Sequence, residues 1–591
     1  MQGMALLPDP ATFKQKQIQK MKNARIILLV ILFVPLIFNA QDIDKPQKYK
    51  LTHHMSYEEW LHRDEIGKNF TPTDPPEAPV RMLAEFEQMK GVVIAFSLDY
   101  NEFGIPVSAI KEMAEDITVI VIAEGSSAQT TVTNLLNSNG VNMDNVEFLA
   151  APTDSWWVRD YGPWFVIDGN NEVGVCDFPY NRPSRVNDDE IPIEVSTFMD
   201  VNLFGMALIS TGGNFMCDGM GIAASTDLIW EENPTLSHDE VAQLVNDYLG
   251  IQTYHILNDP LGDYIKHIDC WGKFLDVDKI LLAQVPENDP RYQDYEDIAD
   301  YFAEQTSSFG TPYEIYRVFA PGNSEATPYT NSLILNNKVF VPISGSQYDA
   351  AAISVYQQAM PGYEIIGSMS SEWLNTDALH CRTKGMADKE MLYIKHIPIS
   401  GPIPVNQGYE IDATIIPYSG QALYPDSLFI RYNVNNGDFS TIALSLVGND
   451  YQAFIPEQAN GDTIRYYIHA ADESGHSANH PFIGQPDPHL FIVGTATSIA
   501  KNELLGIHVE KTYPNPFRDE LTIRYKTEKA GHVNFVLTNS MGQVISKDVY
   551  ANVSSGKNII KVSGSGLKPG IYIYYLSNDN KTVRGKVMKA Y

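Results

Sequence analysis

Residues 264–283 read Tyr264-Ile265-Lys266-His267-Ile268-Asp269, then Cys270-Trp271, then GKFLDVDKILLA. The last twelve residues set apolar runs on either side of a polar Asp-Val-Asp turn, the pattern of a β-hairpin. The same form recurs at 164–178 (WFVIDGNNEVGVCDF) and 332–344 (SLILNNKVFVPIS), with Asn, Asp or Gly at the turn. The last two hairpins are each followed by a helical pattern and another strand. Their turns lie about 60 residues apart, and a repeat of that period suggests propeller-like symmetry. Helices are predicted over 290–306 and 348–360, and buried strands at 91–97 (GVVIAFS) and 117–123 (ITVIVIA). The fold class expected for 78–395 is α/β.

Read as a strand, Tyr264 to Asp269 would place His267 and Asp269 on one face, because side chains alternate with period two. Upstream stands Trp156-Trp157-Val158-Arg159-Asp160-Tyr161-Gly162-Pro163-Trp164, and downstream Leu379-His380-Cys381. Two carboxylates, a histidine and a cysteine suit one kind of chemistry, in which a planar guanidinium is held while a thiolate attacks its central carbon. Each residue has a plainer reading. Asp160 could pair only with Arg159, and a lone histidine is often a satisfied core residue. Thr211-Gly212-Gly213-Asn214 could bring backbone close to a ligand. His380 and Cys381 would face opposite sides of a strand, leaving His267 as the partner of Cys381.

The chain of 591 residues is long enough for three or four domains. Its net charge of −31 is uneven: residues 41–505 carry 24 Lys+Arg against 66 Asp+Glu, and residues 506–591 carry 13 against 6. An acidic body repels nucleic acid and anionic lipid and attracts a cationic substrate, although solubility alone would also explain it. Cys176, Cys217, Cys270 and Cys381 form no CxxC pair and fit no zinc spacing. No metal and no cofactor is expected.

Lys20, Lys22 and Arg25 precede the apolar run IILLVILFVPLIF (26–38), and Asn39-Ala40-Gln41 follow it. This is the pattern of a signal peptide over 1–40, with a better start at Met21 and a short membrane anchor as the alternative. The mature form is expected to lack a transmembrane segment. Residues 41–77 read as a pro-segment or linker. Residues 396–495 show short strands between Asn/Gly/Asp turns and no helix, which suggests an immunoglobulin-like β-sandwich. A linker at 496–506 leads to an all-β unit at 507–591.

That last unit carries Tyr513-Pro514-Asn515-Pro516-Phe517, a central Met541-Gly542-Gln543 turn and a basic Lys586-Val587-Met588-Lys589 end. It resembles the type IX secretion sorting domain of Bacteroidetes. The resemblance implies the type IX secretion machinery as a partner and a secreted or outer-membrane surface-attached product, reached via the periplasm. WVRDYGPW, TGGN, HID, TPYTNS and the late His-Cys, in that order, resemble the guanidine-modifying enzymes of the pentein fold. They are closest to the Porphyromonas-type peptidylarginine deiminases and their relatives, the agmatine deiminases.

That resemblance implies Cys381 as nucleophile, Asp160 and Asp269 as guanidinium ligands, His267 as proton carrier and Asn331 as a polar orienting residue. Trp157 is expected against the arginine stem, with Tyr264 and Ile265 beside the substrate. Arg182 and Arg185 are expected to clamp a C-terminal carboxylate, the plainer reading being a loop paired to Asp188, Asp189 or Glu190. Arginine-containing peptides or proteins follow as substrates. Asp377-Ala378-Leu379-His380 replaces the glycine-rich approach to the cysteine common in agmatine deiminases. Agmatine deimination, an amidinotransferase and an inactive surface adhesin stand as alternatives.

Overall fold

In the computed structural model, the described residues are 51–589 apart from 98–100, 263–264, 323–324, 495–506, 516, 519, 528–529, 540–543, 569 and 579–580. The expected signal peptide, Tyr264 and the 496–506 linker lie outside them.

Five small sheets, each built on an antiparallel strand pair, a helix and a parallel strand, make up residues 81–387. In the third sheet Gly272–Asp276 pairs antiparallel with Lys279–Gln284, the chain crosses through helix Tyr292–Glu304, and Glu314–Phe319 returns parallel. The fourth repeats this with Leu333–Leu335, Lys338–Ile343, helix Asp349–Ala359 and Glu364–Met369. The first uses Trp164–Ile167, Val173–Asp177, helix Ile191–Met199 and Asn202–Gly205, with Arg81–Met82 added at its edge. The second uses Met216–Cys217, Ile222–Thr226, helix His238–Leu249 and Thr253–Leu257. That helix carries its own boundary signals. Ser237 and Glu240 form a capping box, and Gly250 closes the end at φ 70°.

The fifth sheet joins the two ends of the region: Lys384–Ala387 pairs antiparallel with Met89–Ala95, and Thr118–Ile122 and Val146–Leu149 follow in parallel. Central strands with two covered faces read as continuous apolar runs, so Val92 to Ala95 are all fully buried. Helices and sheets close two cores, one around Trp271, Phe274 and Phe302 and one around Val93, Ile120 and Tyr161.

A third core lies between two sheets, and Leu392, Ile394, Ile411, Ile430, Tyr466 and Phe491 fill it. Its first strand is Leu392–Lys395, inside the stretch expected to end the catalytic region, because Leu392 and Ile394 alternate inward beside Gly408–Pro417. A fourth core around Leu521, Phe535, Tyr574 and Val587 belongs to the C-terminal sheets. Residues 51–77, expected as pro-segment or linker, are folded: a turn of helix at Tyr57–Leu61 has a Ser56/Glu59 capping box, and Thr73 bonds the backbone of Gly205.

Candidate active site

Over the described residues Ile265 to Asp269 the expected strand does not form. Lys266 takes φ 49°, a left-handed conformation that breaks extended backbone, and its carbonyl accepts from Thr226 Oγ1 at 2.6 Å. Ile268–Cys270 is a single 3-10 turn with His267 at its N-cap. His267 and Asp269 still serve one site, because the turn brings them together where alternation would have. The Ile265 side chain packs into the core.

Cys381 lies in another 3-10 turn, His380–Arg382, so the argument from opposite strand faces does not apply to His380. Asn331 holds that turn. Its Oδ1 accepts from the backbone N–H of His380 and Cys381 at 3.0 and 3.3 Å, while its Nδ2 donates to Cys381 Sγ at 3.1 Å. Asp269 Oδ2 lies 3.6 Å from the same sulfur and accepts from His380 Nδ1 at 2.7 Å. His380 Nε2 meets Glu85, which also pairs with Lys273 at 2.9 Å and Arg159 at 3.1 Å. Burial would raise the Glu85 carboxyl, but His380, Lys273 and Arg159 together hold it well below the usual range. Arg159 therefore pairs with Glu85, which leaves Asp160 for other partners.

Asp160 is fully buried on the short helix Val158–Tyr161. Its Oδ1 faces His267 Nδ1 at 3.7 Å, and its Oδ2 accepts from His53 Nε2 at 2.6 Å. Burial pushes the Asp160 carboxyl up; His53 and His267 outweigh it and bring the group down to about 2. Burial lowers His267 to about 4 despite Asp160 and Asp269, so its resting imidazole is neutral. Neither ring nitrogen of His267 makes a hydrogen bond among the described residues. Burial and the two carboxylates raise the Cys381 thiol well above its ordinary value. Gly213 makes the arrangement possible: a Cβ there would stand 2.5 Å from His267 Nδ1 and 2.7 Å from Asp160 Oδ1.

On the other side, His53 stacks on Trp157 with centroids 4.9 Å apart, and the Arg185 guanidinium lies 5.0 Å from the Trp157 ring centre. Arg182 and Arg185 are buried and neither pairs with Asp188, Asp189 or Glu190. Arg182 donates to Asn181 and to the His53 carbonyl; Arg185 pairs with Glu59 at 2.9 Å and donates to the Thr52 carbonyl.

Sequence reasoning missed His53, Glu59, Glu85 and Asp377, which lies 4.0 Å from His53 Nδ1 and grips Arg382 with both oxygens. Only adjacency to Cys381 could have marked His380; the others carry no spacing signal. Two donor sets are close enough to hold a metal ion, His53/Asp160/His267 and His53/Asp377/Cys381, and both depend on His53.

Residues 81–386, more than half of the chain, match the Porphyromonas-type peptidyl-arginine deiminase family, and residues 511–590 match a secretion system C-terminal sorting domain. A candidate agmatine deiminase of Yersinia pseudotuberculosis is 27% identical over 279 residues, covering 41% of this chain and 76% of its own. A solved candidate arginine deiminase from Porphyromonas gingivalis is 22% identical, covering 52% of this chain and 98% of its own at a TM-score of 0.46. The agmatine deiminase of Enterococcus faecalis is 19% identical, covering 52% and 95% at a TM-score of 0.46. The sorting domain marks a secreted or surface-attached protein. Among the described residues no helix is long and apolar enough to cross a membrane.

Proposed function

The chain belongs to the Porphyromonas-type peptidyl-arginine deiminase family, hydrolases of guanidino C–N bonds, and on that premise we propose that it converts peptide or protein arginine, preferentially C-terminal arginine, to citrulline and ammonia. The observation that carries the reading is the convergence of Cys381, Asn331, Asp269, His267 and Asp160 in one buried site. Asp160 and Asp269 hold the guanidinium through charge-assisted hydrogen bonds. The bound cation also solves the thiol problem. Two carboxylates keep Cys381 protonated, and a guanidinium between them lowers the cost of the thiolate.

The sulfur then adds to the guanidinium carbon, with Asn331 Nδ2 donating to it. His267 takes the thiol proton as the sulfur adds and passes it to the departing ammonia, leaving an S-alkylthiouronium on Cys381. Neutral again, it removes a proton from water as that water adds to the same carbon. The carbon–sulfur bond breaks, the thiol is restored and the ureido group of citrulline remains.

Preference for C-terminal arginine rests on Arg182 and Arg185. Two buried guanidinium groups, that of Arg185 against Trp157 and that of Arg182 near Tyr180, suit bidentate capture of a carboxylate. Agmatine deimination is the second reading, favoured by the Yersinia relative. Ammonia release from a peptide ending in arginine, from its C-terminal amide and from agmatine separates them, the ureido product being citrulline in the peptides and carbamoylputrescine from agmatine. The free carboxylate should raise kcat/KM at least about tenfold, the worth of a charged hydrogen bond. Equal values for peptide and amide would move the reading to internal arginine, and faster agmatine turnover would move it to the relative's chemistry.

A further inference from the structure

Four of the groups proposed above to touch substrate, Asp160, Trp157, Arg182 and Arg185, are already engaged by residues 51–62. His53 places one ring nitrogen on Asp160 Oδ2 at 2.6 Å and the other on the Thr376 carbonyl at 2.9 Å. Both partners accept, so the ring donates twice and is an imidazolium. It is a planar cation, stacked on Trp157 at an interplanar angle of 16° and set edge-on to His267. These are the contacts a guanidinium would make. A carboxylate stands on the proposed clamp as well: Glu59 Oε1 accepts from Arg185 Nε at 2.9 Å and from Ser184 Oγ at 2.9 Å. Backbone carbonyls of Thr52 and His53 accept from Arg185 Nη2 and Arg182 Nη2, at 2.6 and 2.9 Å. Cys381, His267 and Asp160 are all fully buried beneath this segment.

We propose that residues 51–62 are a resident inhibitor, with His53 in the guanidinium subsite and Glu59 on the carboxylate clamp. The full chain is then latent until the segment leaves. This rests on the functional reading above and adds its regulation. The exit is marked in the chain. Residues 61–65 and 67–69 are exposed, and Arg63 and Lys68 lie within them; beyond, Thr73 ties the chain to the body. A cut after Arg63 or Lys68 by a protease specific for basic residues removes the covalent tether. The plug then loses the high effective concentration that holds it against substrate.

The test uses the full chain, the full chain cut at Lys68 by limited trypsin treatment, and full-chain His53→Ala. Two rates are followed: alkylation of Cys381 by chloroacetamidine, read by mass spectrometry, and citrulline release from a peptide ending in arginine. In alkylation the sulfur displaces chloride and the thiol proton goes to solvent. Cutting and His53→Ala should each raise both rates at least about tenfold, with the gain in citrulline release concentrated in KM. The cut chain keeps every native residue of the site, so it decides the matter if His53→Ala does not fold. Alkylation at equal rates in cut and uncut chains would overturn the proposal. So would a cut or His53→Ala chain that turns over more slowly, which would make His53 part of the working enzyme. Faster alkylation without citrulline in any form would keep the plug and overturn the deiminase reading.

Discussion

The floor and the roof of the site are held in different ways. On the floor, Cys381, Asn331, Asp269, His380 and Glu85 bond one another and the backbone, and each comes from an element of the repeated sheets or a turn beside one. On the roof, Asp160, Trp157, Arg182 and Arg185 meet groups from residues 51–62, which belong to no repeat. The floor keeps its geometry without a ligand. The roof carries buried charges that some ligand must satisfy, because an unpaired buried ion costs several kcal/mol. A site built this way pre-organises its nucleophile and leaves its recognition groups to be exchanged between a resident segment and a substrate.

The sharpest way to break the comparison is on the floor. Cys381→Ala should lower citrulline formation from the cut chain by roughly 10⁴-fold or more, as loss of a nucleophile does elsewhere. Its melting temperature should stay near that of the wild type, and turnover near wild type would end the mechanism. Next come the carboxylates. Asp269→Asn and Asp160→Asn each remove a charge facing a cation in a closed site, worth about 2–4 kcal/mol of transition-state binding. A fall in kcat/KM of less than about fivefold in both would make them structural. Asp269→Asn should be the worse of the two, since it also replaces the charged acceptor of His380 with a neutral amide.

A roof substitution should act on selectivity rather than chemistry. Arg182→Ala in the cut chain should erase about tenfold of the preference for a free C-terminal carboxylate over the amide, with kcat on the amide little changed. Loss of activity on both substrates alike would show that Arg182 belongs to the floor after all.

The smallest expected effect is one of pH on the plug. Burial opposes charge on His53, yet Asp160 and Asp377 raise its pKa above 6.5. The titratable and charged groups facing it are Asp160, Asp377, His267, Cys381, His54 and Arg182. A raised histidine stabilises the docked segment fully below its free value, and that stabilisation is lost as pH rises through the docked value. Alkylation of Cys381 should therefore climb with pH a few-fold more steeply in the uncut chain than in the cut one. Parallel profiles would mean that His53 does not change charge as the segment docks. Asp160 runs the other way. Its lowered pKa contributes stability above about 4 that is lost as pH falls toward about 2.

Much of the fold was legible because the repeats advertise themselves locally. A hairpin needs only alternation and a turn, so those at 164–178, 272–283 and 332–344 could be read directly. The other two could not. One has a strand of only two residues, Met216–Cys217, and the last is split between the two ends of the region, Met89–Ala95 and Lys384–Ala387. No local window contains both halves of that pair.

What the chain alone determined was the roster of chemistry: two carboxylates, a histidine, an asparagine and a cysteine in a family order, together with a basic all-β tail. Their geometry came from elsewhere. Lys266 turned an expected strand into a 3-10 corner, and Asn331 set the turn that aims Cys381. The tertiary structure alone decided that His53 sits on Asp160, 107 residues away, and Glu59 on Arg185, 126 residues away. The physical reason is that period and turn chemistry are short-range properties. A buried ion pair between distant segments is chosen by which charges the folded core leaves without water, and no stretch of sequence records that choice.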